Sequence, residues 1–423
     1  MRGRAFAARK SLRDLNRREP VFAYTEPMQT AALKSPAPRS APNAIVVGVA
    51  AILLAAVGLW IGAAHGGRMA SLWLTGAALG VALYHARFGF TGAWRAFLVE
   101  RRGSGVRAQM VLFALATLVI LPAVEAGTLF GRPVGGAFAP VGVSVAVGAF
   151  VFGIGMQLGG GCASGTLFAT GGGDARSLVT LVFFVAGATL GSLHLPWWLT
   201  LPDLGTVSLA GTLGTTRALV VELGLFFVVW YGSRILEQRR HGHILHAGTG
   251  GVRGLRRLVH GPWPVGWGAV ALAILAVLAL WIAGHPWSVT FGFSLWGAKI
   301  LSAAGVDVAA WEFWTWPYPK QALAGSILAE DTSVMDIGIV LGALLASGLA
   351  GRFAPSFRIR LRPFLAAVIG GLLLGYGARL AFGCNIGAML SGIASGSLHG
   401  WLWLVAALPG NWLGARLRSV FGL

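Results

Sequence analysis

Ten stretches of about 20 mostly apolar residues recur along this chain. A helix needs about 20 apolar residues to cross the hydrocarbon core of a membrane. The stretches lie near 44–64, 69–87, 107–123, 138–158, 176–194, 216–232, 264–284, 334–350, 362–382 and 399–419. Charged residues make up only 11% of the chain, whereas a soluble domain carries about a quarter. The sequence therefore predicts an all-α integral membrane protein with about 10 to 13 hydrophobic helices.

Arginines are concentrated in short segments between the apolar stretches. The formal charge is +19, but charges placed this way form no recognition face, so a nucleic-acid partner is not expected. Basic loops stay on the cytoplasmic side, and segment 195–215 contains no Lys or Arg. The basic clusters are Arg95, Arg101, Arg102 and Arg107; Arg234, Arg239, Arg240, Arg253, Arg256 and Arg257; Arg352, Arg358, Arg360 and Arg362; and Arg416 with Arg418. All of them agree with a multi-pass topology in which both termini are cytoplasmic.

The amino-terminal segment differs in composition from the rest of the chain. Residues 1–40 are basic and lack a short apolar core followed by a cleavage site, so they predict a disordered cytoplasmic tail that contacts membrane lipids, and not a signal peptide. We expect a first membrane repeat at 41–233, a basic cytoplasmic linker at 234–262 and a second repeat at 263–423. Within the second repeat, tryptophans and prolines interrupt 288–330, which is expected to start and end on one side.

Two segments repeat each other around the two cysteines of the chain. GIGMQLGGGCASG at 153–165 aligns without gaps on GYGARLAFGCNIG at 375–387, so Cys162 and Cys384 stand 222 positions apart. A weaker echo is a Phe-Gly-Phe motif, which occurs once in each half and in the same order. Matching glycines together with the two cysteines predict an internal duplication.

Each cysteine follows a glycine-rich run and precedes an apolar piece that is too short to span, SGTLFATGGG after Cys162 and NIGAMLSGIASGS after Cys384. These pieces predict two re-entrant half-helices, because non-helical backbone at membrane depth must line a cavity or be buried in protein. On the predicted topology, helix 138–158 runs inward and helix 362–382 runs outward. The repeats are therefore expected to be inverted, as in many transporters whose substrate site lies where broken helices meet.

The cysteine segments are suited to a small anion. The start of a helix directs free N–H groups and the positive end of its dipole at such a ligand. A thiol is a weak donor with a polarizable surface, so it can contact a soft, sulfur-bearing anion without trapping it. The candidate substrate-binding residues are Cys162, Cys384, Gly161, Gly383, Ser164, Asn385, Arg379 and Gln157. Arg379 holds the position that Gln157 holds in the other half, so one fixed charge is expected to bias entry.

Ionisable residues inside membrane segments are functional candidates by default. The candidates of this kind are Glu222, Lys299, Asp307, Asp174 and Arg176. Glu222 is the best embedded of them, and it is expected to pair with a nearby polar group. Neither a phosphate-cradling glycine loop nor a paired-histidine metal motif occurs. The sequence therefore predicts no cofactor, no metal site and no enzymatic activity.

The segments GMQLGGGCASGTLFATGGG, GYGARLAFGCNIGAMLSGIASGSLHG and FGFTGAWRAFLVERRG resemble the YeeE/YedE family of sulfur-transport membrane proteins. The resemblance covers roughly residues 44–420 and implies uptake of thiosulfate, or in some branches a link to selenium metabolism, at a bacterial inner membrane. It also implies that Cys162 and Cys384 contact the anion through S–H hydrogen bonds and that a small cytoplasmic sulfur carrier of the TusA type is a partner. Some relatives have a further cysteine, and this chain has no third one.

Two other functions fit the cysteines. A membrane thiol-disulfide oxidoreductase would cycle a bond between Cys162 and Cys384, which requires Cα atoms less than about 7 Å apart. Passage of a soft metal such as Cu(I) would use thiolates as ligands, but the chain has only 7 methionines and is strongly basic. Inward transport of thiosulfate or a related sulfur anion is the function that the sequence favours.

Overall fold

The computed structural model describes residues 41–245, 254–355 and 357–423, so the predicted tail at 1–40 lies outside it. The first group of helices comprises α1 (Ala44–His65), α2 (Gly67–Ala86), α3 (Phe90–Glu100), α4 (Ser104–Ala126), α5 (Val143–Gly159), α6 (Ala163–Gly171), α7 (Ala175–Trp198), α8 (Leu209–Leu213) and α9 (Thr215–His241). Two short antiparallel strand pairs join β1 (Thr128–Leu129) to β2 (Arg132–Pro133) and β3 (Pro140–Gly142) to β4 (Asp203–Thr206).

The second group of helices follows the undescribed residues 246–253. It comprises α10 (Leu255–His260), α11 (Val265–Ala283), α12 (Thr290–Ala303), α13 (Glu312–Thr315), α14 (Pro317–Ala324), α15 (Asp331–Leu349), α16 (Leu361–Leu380), α17 (Ser391–Ala394) and α18 (Leu398–Leu417). A π-helical turn at Asn385–Leu390 precedes α17. The prediction of an all-α protein is confirmed.

Nine helical segments in the described ranges are long and apolar enough to cross a membrane. Helix α18 has 20 residues but is not one of the nine. Large apolar side chains cover the outside of the bundle; Ile45, Leu59 and Phe227, for example, are 79%, 77% and 62% exposed. Surfaces of this kind are stable against lipid and unfavourable in water. The chain is a multi-pass membrane protein.

Helices α5 and α16, which precede the two cysteines, cross each other at the centre of the bundle. A methyl group added at Gly155 would lie 2.7 Å from the backbone nitrogen of Leu374, and one added at Gly377 would lie 2.5 Å from the carbonyl oxygen of Gly148. Glycine is required at these positions because any larger side chain would separate the two backbones.

The neighbours of α5 and α16 are arranged reciprocally. Gly153 of α5 faces the Ala407 carbonyl of α18, and Gly375 of α16 faces the Phe184 carbonyl of α7. The two glycines are 222 positions apart, and the two carbonyls are 223 positions apart. The sequence repeat therefore corresponds to a repeat in the packing of the helices.

Helix α15 packs between α2 and α6 through small residues. Gly76 of α2 lies directly against the Met335 carbonyl of α15, and Gly171 of α6 lies against the Val340 carbonyl. Helix α15 begins at an acidic cap, since the Glu330 carboxylate accepts from the backbone N–H groups of Thr332 and Ser333 at 2.9 and 2.8 Å. One face of α15 is thereby held beside the half-helix that follows Cys162.

The segment between α2 and α4, predicted as a loop, contains the additional helix α3, so Arg95 is helical. Phe90, Thr91 and Trp94 are its buried face, and Arg101 ends it in the left-handed conformation at φ 58°. A search for runs of about 20 apolar residues does not find this helix, because it has only 11 residues and only one buried side. Helix α9 is longer than predicted, continuing to His241 with basic residues in its last turn, where cations are favourable.

Segment 288–330 folds into short helices, the longest of which is α12 with 14 residues. A helix of this length reaches about 21 Å, less than the hydrocarbon thickness of about 30 Å. The residues that flank the segment meet, since His285 Nε2 lies 3.3 Å from Asp331 Oδ2. The segment thus starts and ends at the same end of the bundle, as expected.

Candidate functional site

The chain turns sharply after α5 and places Cys162 at the start of α6. Gly160 makes the turn in the left-handed conformation at φ 88°, which glycine adopts without strain. Cys162 is the N-cap residue, and its sulfur accepts from the Gly165 N–H at 3.4 Å. Ser164 Oγ lies 3.5 Å from the same sulfur, and both side chains are 1% exposed. Helix α6 therefore begins directly after Cys162, with the thiol at its amino end.

Cys384 occupies the equivalent place after α16. Gly383 has φ 152°, and a methyl group there would lie 2.6 Å from the Ala388 backbone nitrogen. The sulfur of Cys384 accepts from the Ile386 N–H at 3.4 Å. The helix that follows begins as the π-helical turn and not as a regular α-helix, so the second half-helix is wider at its start. Gly161 packs in the same way in the first half, with an added methyl 3.0 Å from the Thr166 nitrogen.

The two thiols lie in one buried region of the bundle. Both are free, and both belong to the same apolar cluster. The first Phe-Gly-Phe motif reaches the site as well, because the Phe90 backbone N–H, at the start of α3, is a hydrogen-bonding neighbour of the Cys162 sulfur.

Asn385 follows Cys384 and is completely buried. Neither its amide oxygen nor its amide nitrogen has a hydrogen-bond partner within the described residues. An unsatisfied buried amide costs about 1–3 kcal/mol. Such a group at the start of a half-helix is therefore ready to bond a ligand or water.

Gln157 and Arg379 do not contact the cysteines. The Gln157 side-chain nitrogen donates to the Asn411 Oδ1 at 2.8 Å and to the Thr91 carbonyl at 3.2 Å. The Arg379 guanidinium lies 4.8 Å from the centre of the Phe313 ring, and its buried Nε and Nη1 atoms have no hydrogen-bond partner in the part of the chain that the structure describes. Ser164 and Gly161 lie beside Cys162, and Asn385 and Gly383 lie beside Cys384, whereas Gln157 and Arg379 contact other residues.

Sequence reasoning missed Asp336, which is fully buried and whose two carboxylate oxygens have no hydrogen-bond partner within the described ranges. The available signal was a single acid within the apolar run VMDIGIVLGALL of α15. Glu222 of α9, the acid that was singled out, accepts from Trp401 Nε1 at 3.3 Å.

A cavity of about 710 Å³ opens at the end of the bundle where α2 and α15 begin. Its charged lining comprises Arg68, Arg132, His285, Glu330 and Asp331. Arg68 makes a two-point contact with Asp331, with both N···O distances at 2.8 Å. The loop beyond His285 runs from this cavity to the Cys384 segment, since the Trp287 carbonyl accepts from Ser391 Oγ at 2.7 Å. We term this cavity the vestibule.

A polar vestibule above two buried half-helix ends is a feature of membrane transport proteins. A family model described as sulphur transport matches residues 85–413. The chain belongs to this sulphur-transport family, which confirms the resemblance to YeeE/YedE proteins.

Two relatives named thiosulfate transporter TsuA match over most of their length. The protein from Spirochaeta thermophila is 28% identical over 358 residues, which is 80% of this chain and 96% of the relative. The protein from Escherichia coli is 27% identical over 366 residues, 82% of this chain and 94% of the relative. The probable transporter YedE of Escherichia coli is 36% identical over 150 residues, so the match covers 35% of this chain and only 36% of that relative.

Proposed function

We propose that this protein carries thiosulfate, or a closely related small sulfur anion, inward across the bacterial inner membrane. The observation that carries the proposal is the pairing of two buried thiols, each at the start of a half-helix, in a member of the sulphur-transport family. Relatives that match over most of their length bear the name thiosulfate transporter. No covalent step is needed, because the thiols act as donors and soft surfaces.

The route begins at the vestibule, which contains cationic groups at the end of the bundle opposite the basic loops. The anion passes along the loop at Trp287 to Cys384 and Asn385, whose amide has free hydrogen-bonding capacity. It then moves to the Cys162 segment, where Ser164 and the amino-terminal N–H groups of α3 and α6 supply neutral donors. Binding of this kind is favourable and reversible, as passage requires.

The inverted repeat and the cytoplasmic termini are parts of the same proposal. Segments predicted to be cytoplasmic meet at one end, where Arg107 and Glu237 form a 2.6 Å ion pair and His241 lies 2.8 Å from the Glu100 carbonyl oxygen. Segments predicted to lie outside the cell contact each other at other places. They line the vestibule, and the Gly135 N–H donates to the Gly284 carbonyl at 2.8 Å. This separation supports the topology. A TusA-type sulfur carrier at the cytoplasmic end would accept the transported sulfur.

Uptake of radiolabelled thiosulfate into proteoliposomes tests the proposal, with Cys162→Ala and Cys384→Ala as variants. We expect each variant to lower the initial rate at least about fivefold, since a hydrogen bond contributes about 1 kcal/mol. Ser347→Ala is the matched control: Ser347 is also buried, but its hydroxyl bonds the Leu344 carbonyl of its own helix. Full uptake by both cysteine variants would remove the thiols from the mechanism. A disulfide that forms and disappears during turnover, detected by mass spectrometry, would favour the oxidoreductase instead.

A further inference from the structure

Asp336 is a carboxyl group inside the membrane bundle with no side chain to satisfy it. Its exposed fraction is 0%, and neither carboxylate oxygen has a partner in the described chain. A buried carboxylate without a partner is strongly unfavourable. The side chain is therefore expected to hold a proton whenever no water reaches it.

The surroundings of Asp336 are closely packed on the side of α12. Gly292, in the second Phe-Gly-Phe motif, faces the carboxyl, and a methyl group added there would lie 3.0 Å from Asp336 Oδ2. Ser333, one turn earlier, is engaged by Trp296 Nε1 at 2.9 Å. Ser288, four residues before Gly292, lies beside the Cys384 segment, since a methyl group added at Gly387 would lie 3.0 Å from the Ser288 hydroxyl oxygen. The carboxyl thus belongs to the region of the proposed path and not to the lipid-facing surface.

The other charged groups around α15 are engaged elsewhere. Glu330 accepts from Tyr318 Oη at 3.0 Å in addition to its capping bonds. Asp331 is bonded by Arg68 and His285 in the vestibule. On α12, Lys299 donates to the Leu323 and Gly325 carbonyls at 2.8 and 2.7 Å. At the opposite end of α15, His260 Nδ1 lies 2.9 Å from the Leu349 carbonyl oxygen. Cys384 and Cys162 are the remaining titratable groups on the side of the path.

We propose that Asp336 is the proton-binding residue that couples inward movement of the anion to inward movement of a proton. This inference rests on the proposed transport function. An incoming dianion repels a carboxylate nearby, so a loaded path favours the carboxylic acid, which takes its proton from water on the outer side. When the anion has left and cytoplasmic water reaches the site, the acid gives the proton to that water. Each cycle then moves one proton with each anion through this residue.

The test uses proteoliposomes that contain the full-length protein and an imposed pH gradient, acidic outside. The wild type is expected to accumulate labelled thiosulfate at least about fivefold above its level without a gradient. The membrane potential opposes entry of a dianion, so the protein can concentrate it inside only if cations move inward with it. Asp336→Asn, which keeps the size of the side chain, is expected to reduce accumulation to an inside-to-outside ratio of 1, while exchange of labelled for unlabelled thiosulfate stays above that of protein-free liposomes.

Glu222→Gln is the matched control, because Glu222 is also a fully buried acid but bonds Trp401; its gradient response should equal that of the wild type. A pH dye inside wild-type liposomes should report acidification when thiosulfate is added, which tests the inference even if Asp336→Asn does not fold. Wild-type exchange without any gradient response or acidification would overturn the coupling alone, as would an Asp336→Asn variant that still accumulates. A wild type that neither exchanges nor takes up thiosulfate would overturn the proposed function itself.

Discussion

Gln109 is the sixth residue of α4, and Asp336 is the sixth residue of α15, the helix in the corresponding place of the second half. Gln109 accepts from Trp94 Nε1 at 2.8 Å, in a pair formed within the first half. In the second half, Trp296 Nε1 donates to the Ser333 hydroxyl, and Asp336 has no hydrogen-bond partner among the described residues.

The residues near the ends of α5 and α16 also differ in charge and in hydrogen bonding. Gln157 is neutral and held by two donor bonds to Asn411 and Thr91. Arg379, at the matching position, is charged and has two buried nitrogens without partners. Each side chain lies against a glycine of a neighbouring helix. A methyl group added at Gly414 would lie 3.0 Å from Gln157 Cβ, and one added at Gly191 would lie 2.7 Å from Arg379 Cβ.

The comparison shows that the glycine contacts at the helix crossing recur in both halves, whereas two matched polar positions differ. Asp336 and Arg379 of the second half have buried polar atoms without a hydrogen-bond partner among the described residues, while Gln109 and Gln157 of the first half are bonded. Packing is fixed by small residues that both repeats must keep for the helices to cross. The polar residues at matched positions of the two repeats can differ, because the protein needs each polar group in only one of the repeats. A directional process such as coupled uptake needs this kind of asymmetry.

The largest expected effect concerns the crossing of α5 and α16. Gly155→Ala and Gly377→Ala should each lower the free energy of unfolding by about 2 kcal/mol or more, because the new methyl would overlap backbone atoms of the partner helix. Thermal unfolding in detergent, followed by size-exclusion chromatography, measures the loss. Gly224→Ala in α9 is the control, as no atom lies within 4 Å of an added methyl there. Tolerance of one variant but not the other would contradict a duplicated packing.

The packing of the halves was readable from the sequence at the cysteine segments. Glycine spacing and the two cysteines predicted the turns before Cys162 and Cys384, because a left-handed turn and a close crossing each require glycine. Long apolar runs likewise predicted the main helices, since length and hydrophobicity suffice for that inference.

The chemistry of the second half was less accessible. Asp336 lies in a helix that is apolar nearly all round, so periodicity does not show which neighbour its side chain meets. The unsatisfied amide of Asn385 depends on what α18 and α12 leave uncovered, which is a tertiary property. Helix α3 was missed for a different reason, because an 11-residue helix is too short to register as a span.

Arg379 offers a test of the charge difference itself. Arg379→Gln gives the second half the residue type of the first, and we expect uptake to slow about threefold to tenfold, mainly through a higher KM, because a desolvated charge attracts an anion by about 1 kcal/mol or more. Initial rates over a range of thiosulfate concentrations measure the change. Arg416→Gln is the control, since Arg416 also covers an aromatic ring, that of Trp412 at 3.6 Å, and should change uptake less than twofold. Unchanged kinetics in Arg379→Gln would show that the arginine only packs against Phe313.

The smallest expected effect lies in the vestibule, where the second half supplies both members of the His285–Asp331 contact. Burial acts to lower the pKa of His285, but its bonds to Asp331 and to the Pro286 carbonyl outweigh burial, so the pKa is raised. Because the pKa of His285 is raised in the folded state, the contact stabilises the fold fully at pH values below the pKa of the unfolded state, about 6.5. This stabilisation disappears as the pH rises through the pKa of the folded state. Because the His285 side chain is 40% exposed, the contribution is only about 0.5 kcal/mol.

Unfolding temperatures at pH 6 and pH 8 should therefore fall slightly more with rising pH in the wild type than in His285→Gln. His194→Gln is the control, because His194 contacts the Tyr376 hydroxyl at 3.2 Å and no carboxylate, and it should keep the pH response of the wild type. If His285→Gln keeps the full response, the imidazole is not charged against Asp331. In that case Arg68 alone would balance this carboxylate, and the cationic character of the vestibule would come from Arg68 and Arg132, which both belong to the first half.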